Sequence, residues 1–140
     1  TYMPYSLYQI EEFLLNNSDL FSARQIRFII ERKEDRQNIG CIDIYDFDPI
    51  HLRAGIGILL QKEFRKQGYA QEALQLLLDY CFKTLMLKQV YCLIDVLNTD
   101  SINLFTKIGF EQCGYRKEWI RTPNGFIDEI ELQYINKNFK

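Results

Sequence analysis

The sequence predicts an α/β (α+β) fold built on a mixed sheet, and three observations support that class. Runs of β-branched and alternating residues interleave along the chain with runs of helical periodicity. Two pairs of β-rich runs are joined by short polar turns, as hairpins are. One run, Gln89 to Val96, is so apolar that it belongs at the centre of a sheet, buried on both faces. The 140 residues fit one domain. A chain of that length buries about two-thirds of its unfolded surface and needs no disulfide or metal staple.

The elements follow in order. Leu7, Ile10, Phe13 and Leu14 recur at helical spacing and predict a helix over Tyr5 to Asn16, with Tyr2, Tyr5 and Tyr8 toward its packing face. Gln25 to Arg32 and Ile39 to Phe47 read as strands joined by the polar Lys33–Asn38. Leu52 to Leu60 is a third strand with two glycines inside it, a mark of a bulge or a close backbone approach. Tyr69 to Leu85 is the longest helix, with Ala70, Ala73, Leu74, Leu77, Leu78 and Cys81 along one face. After the apolar strand, Ser101 to Lys107 makes a short helix that Gly109 closes. Phe110 to Arg121 and Gly125 to Ile135 are strands, turned by Thr122-Pro123-Asn124-Gly125. The opening Thr1-Tyr2-Met3-Pro4 leads straight into the first helix, so a first strand is expected to be missing.

Composition excludes several classes of function. A net charge of −2 and a pI near 5.4 do not suit a nucleic-acid binder, which needs a basic surface. No apolar run has the 18 or more residues of a membrane span, and no charged-then-apolar leader with a small-residue cleavage site is expected. Cys41, Cys81, Cys92 and Cys113 form no CxxC pair, and His51 is the one histidine, so no metal site is expected. Cys41, Cys81 and Cys92 stand in apolar stretches, where a thiol packs as a small hydrophobe. Reduced cysteines point to the cytoplasm.

The segment from Leu59 to Ala70 carries chemistry. It runs from a strand through a turn into the long helix, with Arg65, Gly68 and Ala70 at the spacing R-x-x-G-x-A. Small residues there admit a ligand close to the backbone, and the amides of a helix's first turn have no partners of their own. The helix dipole, Arg65 and Lys66 make the loop an anion site suited to phosphate or pyrophosphate. A plain strand–turn–helix with a solvated basic turn would also fit these residues.

Arg65 to Ala70 resembles motif A of the GCN5-related N-acetyltransferase (GNAT) family, whose Q/R-x-x-G-x-G/A loop holds the pyrophosphate of acetyl-coenzyme A. Ile58-Leu59-Leu60 with Lys62-Glu63-Phe64 resembles the approach to that loop. Asn98-Thr99-Asp100-Ser101 and Leu104-Phe105-Thr106-Lys107-Ile108-Gly109-Phe110 resemble motif B. The pattern is similar to the ribosomal-protein alanine and spermidine acetyltransferase branches. The resemblance implies a mixed, mostly antiparallel sheet, flanked by helices, whose central parallel strands, Leu52–Leu60 and Gln89–Val96, splay around acetyl-coenzyme A. It implies that the pantetheine arm pairs with backbone around Ile58, Leu59 and Leu60, and that a bulge in that strand frees an amide for the thioester carbonyl. Arg65, Lys66, Gln67, Gly68, Tyr69 and Ala70 would hold the pyrophosphate, Asn98 would lie by the cofactor arm, and Ser101 and Lys107 would add contacts. The implied reaction is direct attack on the thioester, in a ternary complex, by the primary amine of a polyamine, small molecule or protein N-terminus. Such an amine, of pKa about 10.4, must first lose a proton. No metal enters, and a homodimer is the implied assembly, with the last strand free to pair across an interface.

Two positions depart from the family. The tyrosine that protonates the leaving thiolate aligns with Phe105, and the glutamate of an A-E-x-G strand pattern aligns with Gly55 in Ala54-Gly55-Ile56-Gly57. Substitutes are Asp46, Asp48 and His51 between two strands, Glu118 and Trp119 for the acceptor pocket, and Tyr45 or Tyr115 as proton donors. Each also reads as an ordinary loop, surface or core residue. The acidic helix that binds polyamine in the spermidine branch would fall near Tyr5–Leu20, where only Glu11, Glu12 and Asp19 are acidic. Two functions therefore stand: an acetyl-coenzyme A-dependent N-acetyltransferase, or a catalytically degenerate acyl-coenzyme A-binding module.

Overall fold

The computed structural model describes Tyr2, Met3 and residues 23–140. The helix expected over Tyr5 to Asn16, with its tyrosine face and the acidic Glu11, Glu12 and Asp19, lies outside the described residues. The strands are β1 (Tyr2–Met3), β2 (Ile26–Glu31), β3 (Asn38–Asp48), β4 (Arg53–Leu60), β5 (Gln89–Asp95), β6 (Glu111–Thr122) and β7 (Gly125–Ile135). The helices are α1 (Tyr69–Asp79), which follows β4, and α2 (Thr99–Ile108), which follows β5. One sheet joins the strands in the order β1-β2-β3-β4-β5-β7-β6.

Alternation builds the core face. Ile26, Phe28 and Ile30 of β2, Ile42 and Ile44 of β3, Ala54 and Ile56 of β4, and Val90, Cys92 and Ile94 of β5 are all buried, and α1 sets Ala73, Leu74, Leu77 and Leu78 against them. The expected hairpins form, β2 with β3 and β6 with β7, both antiparallel. Asp35 holds the first turn: it takes Nε of Arg32 at 3.1 Å and accepts from the amide of Gln37 at 3.1 Å. The four cysteines are free, and burial pushes the thiols of Cys81 and Cys92 up to about 12, so both are inert at neutral pH.

Four sequence expectations need correction. Tyr2–Met3 does pair with β2, in parallel, at Ile29 and Ile30, so a first strand is present; two residues are too short to show a period of two. The long helix is α-helical only to Asp79 and closes through a π turn at Tyr80–Thr84, because a single widened turn leaves the apolar periodicity intact. β5 is buried on one face alone: Leu93, on the other, is 37% exposed. The last strand, β7, has partners on both sides and is no edge; β6 is the edge. Strand order is a long-range property, and adjacency in sequence does not reveal that β7 inserts between β5 and β6.

Candidate functional site

A cleft opens where β4 and β5 part. The two strands run parallel and pair only at Arg53–Gln89, Ala54–Val90 and Gly55–Tyr91, although β4 continues to Leu60 and β5 to Asp95. The amide of Gln61 donates to Ile39 O at 2.9 Å, so by strand alternation the backbone groups of Gly57 and Leu59 face β3, while those of Ile56, Ile58 and Leu60 point to the β5 side and open onto the cleft beyond Ile56. Of these, the Leu60 carbonyl accepts Nε of Arg65 at 3.0 Å. Of the three residues expected around the cofactor arm, Leu59 has its backbone opposite Cys41 in β3 and its side chain 62% exposed, and Ile58 and Leu60 face the cleft. The bulge expected in β4 lies in β3 instead, where Asp46 and Phe47 stand between the pairs Tyr45–Gly55 and Asp48–Arg53 and Asp46 has φ of 49°. β4 is regular, and its free edge comes from the parting of its neighbour.

The carboxyl ends of β4 and β5 lie at the same end of the sheet, and each leads to a helix N-terminus. Gly68 caps α1 with φ of 89°, a conformation costly for any other residue, and a Cβ built on it meets nothing within 4 Å. No side chain caps this helix, and the amides of Tyr69, Ala70 and Gln71 find no acceptor among the described residues. Lys66 has φ of 62°, Gln67 donates to the Glu63 carbonyl at 3.0 Å, and Arg65, Lys66, Gln67 and Gly68 are exposed. At the second N-terminus, Asn98 caps α2, its Oδ1 accepting the amide of Ser101 at 3.2 Å. Lys107 stands exposed in the last turn of α2, away from the capped end. The loop and Asn98 are thus gathered at the open end of the cleft, and Lys107 is not.

The proton-transfer candidates are not gathered there. Phe105 is 2% exposed and packs edge-on against Phe110, ring centroids 4.9 Å apart. His51 sits on the turn before β4, with its amide on Asp48 at 2.9 Å and its ring 3.5 Å from the same carboxylate; this is the paired, closed end of the cleft. Glu118 lies on a bulge of β6, with φ of 50°, and Trp119 is 59% exposed beneath the guanidinium of Arg116. β7 and β5 separate β6 from the cleft. Tyr115 donates its hydroxyl to Asp128, whose other oxygen accepts the amide of Glu118 at 2.7 Å. A phenol so engaged is no free proton donor.

That link sets two titrations. The Tyr115 hydroxyl, then the Glu118 amide, hold the Asp128 carboxyl below the usual carboxylate range, and the same bond to Asp128 raises the Tyr115 hydroxyl. Its stabilisation is present above the unfolded carboxylate value of about 3.9 and is lost as pH falls through the lowered folded value. At high pH it is lost as pH rises through the raised value of Tyr115. Tyr115→Phe is expected to move the Asp128 titration upward, toward the unfolded value, in carboxyl-carbon NMR. An unmoved curve would mean that the Glu118 amide alone sets it.

One group escaped the sequence reading. Gly55 stands where the family glutamate was expected, and a Cβ there would collide with the ring of Tyr45, which lies across β4. Tyr45 meets Tyr91 of β5 edge to face, centroids 6.1 Å apart. On β7, opposite Asp95, Glu129 keeps only 12% of its side chain exposed. Its Oε1 is buried without a hydrogen-bond partner among the described residues, 3.5 Å from Nη1 of Arg116. Acidic residues at Glu129 and Glu131, alternating with buried Ile130 and Leu132, were the available signal.

The family profile described as an acetyltransferase (GNAT) domain matches residues 1–111. The spermidine N(1)-acetyltransferase of Escherichia coli K12 is 28% identical over 111 residues, covering 79% of this chain and 58% of that protein. That of Vibrio cholerae is 27% identical over 133 residues, covering 94% and 75%. An uncharacterised N-acetyltransferase of Bacillus subtilis 168, YnaD, is 33% identical over 111 residues, covering 79% and 64%. The chain thus spans less than two-thirds of the length of the E. coli protein it matches. Among solved structures, the dodecameric spermidine N-acetyltransferase of V. cholerae superposes with a TM-score of 0.77 at 24% identity, over 93% of this chain and 74% of that one. A likeness at that identity establishes the fold, and the profile match establishes the family. The chain belongs to the GNAT acetyltransferases.

Proposed function

We propose that this chain transfers the acetyl group of acetyl-coenzyme A to a primary amine, with small polyamines as the first acceptor class. The observation that supports this best is the cleft: a strand edge freed beyond Ile56, at Ile58 and Leu60, ending beside uncapped amides at Tyr69, Ala70 and Gln71. An amide-bearing pantetheine arm finds donors and acceptors on that edge, as an added strand does. A pyrophosphate finds backbone amides, the helix dipole and the charges of Arg65 and Lys66 at its end. Asn98, held by its bond to Ser101, borders the same mouth. Bound coenzyme supplies the activated acetyl group; the chain aligns it and offers an amide at the head of the free edge to the thioester oxygen. The acceptor class comes from the spermidine acetyltransferases among the relatives. The dodecameric relative extends the proposal to self-association, checked by light scattering.

A second reading has its own support. Phe105 carries no proton and Gly55 no carboxylate, so the chain can be an acyl-coenzyme A binder without turnover. General acid–base help is worth about 10²–10⁴-fold, and a thiol of pKa about 8.5 leaves without an acid, so their loss predicts slow rather than absent catalysis. Calorimetric titration with acetyl-coenzyme A is expected to give one-to-one micromolar binding, and thiol release is expected with spermidine and other amines. Binding with no thiol release over the amine panel would favour the binder; no binding at all would sink both readings.

A further inference from the structure

We propose that Glu129, with the Tyr45–Tyr91 pair, forms the seat that receives a second, non-reacting ammonium group of the acceptor and selects cationic amines. The inference rests on the acetyltransferase reading and deepens it. β4 and β5 part immediately after Gly55 and Tyr91, so the Tyr45–Tyr91 contact marks the closed end of the cleft. The register Gly55–Tyr91 and Tyr45–Gly55 puts both rings on the sheet face opposite the buried Ala54 and Val90. The same alternation, through Tyr91–Gln133, Leu93–Glu131 and Asp95–Glu129, puts Glu129 and Glu131 on that face. A residue with a side chain at position 55 would exclude Tyr45 from its place. Glycine there leaves room for an aromatic wall, and β7 supplies a largely buried carboxylate, Glu129, on the same face.

The charge balance fits a cation. Glu129 and Glu131 share one guanidinium, that of Arg116, at 3.5 and 3.7 Å, and Asp95 adds a further carboxylate on the face. Arg116 makes no hydrogen bond to the buried Oε1 of Glu129 and is 45% exposed, lying over Trp119. A buried carboxylate oxygen that has an ion pair but no hydrogen bond is incompletely satisfied, and an incoming ammonium can supply that bond. The hydroxyl of Tyr45 is raised chiefly by burial, then by Tyr91, Cys92, Asp46 and Glu129, so Tyr45 enters the seat as a neutral ring.

The test is steady-state kinetics with spermidine, beside direct binding of acetyl-coenzyme A by calorimetry. Glu129→Gln keeps the shape and removes the charge. It is expected to raise KM for spermidine at least tenfold, leave kcat within about threefold, and leave coenzyme affinity unchanged. Arg116→Ala removes the competing cation and is expected to lower that KM. A KM within twofold of the parent in Glu129→Gln would overturn the proposal while the acetyltransferase reading stands. If the parent releases no thiol, calorimetric binding of spermidine replaces KM. Spermidine binding lost in Glu129→Gln would then support the seat although the enzyme reading had failed, and no binding by the parent, or equal binding by both, would overturn it.

Discussion

Gly68→Glu is expected to weaken acetyl-coenzyme A binding by at least 100-fold, about 3 kcal/mol. Two effects add. The left-handed φ of 89° costs a residue with a Cβ roughly 1–2 kcal/mol. A carboxylate also replaces open space beside uncapped amides and stands against a polyanion. Gly68→Ala isolates the backbone cost and is expected to lose tenfold or so. Calorimetry reads both, with circular dichroism to confirm the fold. A folded Gly68→Glu protein that binds as the parent does would remove the phosphate assignment from this loop and with it the proposed function's strongest support.

Phe110→Ala should cost about 3–5 kcal/mol of stability, a large share of the 5–15 kcal/mol typical of a domain. Phe110 is 2% exposed and carries the aromatic stack: Phe105 lies edge-on at 4.9 Å and Tyr134 tilts against it at 5.4 Å, with Phe82 beyond at 5.6 Å from Tyr134. Phe105 is the buried residue of α2, so this stack positions the helix whose capped end borders the cleft. Urea unfolding gives the loss as a lower midpoint at constant slope. A loss under 1 kcal/mol would mean that the stack closes over the void.

The two departures from the family become one structural fact when seen together. Phe105 is not an acid removed from an open site; it is a core ring whose neighbours are rings. Gly55 is not a vacant base position; Tyr45 fills it. Sequence alignment exposes the missing groups, because it compares position with position. It cannot expose what lies in the space at Gly55, because Tyr45 comes from another strand, β3, set against β4 only by their pairing.

The sequence alone determined the element types, both hairpin turns and the loop from Arg65 to Ala70. Each is set by residues within about a dozen positions of one another: Gly68 by its backbone freedom, the Asn98 cap by its three-residue reach to Ser101, and β5 by its own apolar run. Tertiary structure alone decided that β7 lies between β5 and β6, that the bulge is in β3, that β4 and β5 part after Gly55 and Tyr91, and that Glu129 is largely buried on the sheet face that carries Tyr45 and Tyr91. Local propensity depends on neighbours in the chain, whereas a cleft is the place where two strands far apart in sequence stop pairing, and that depends on everything packed around them.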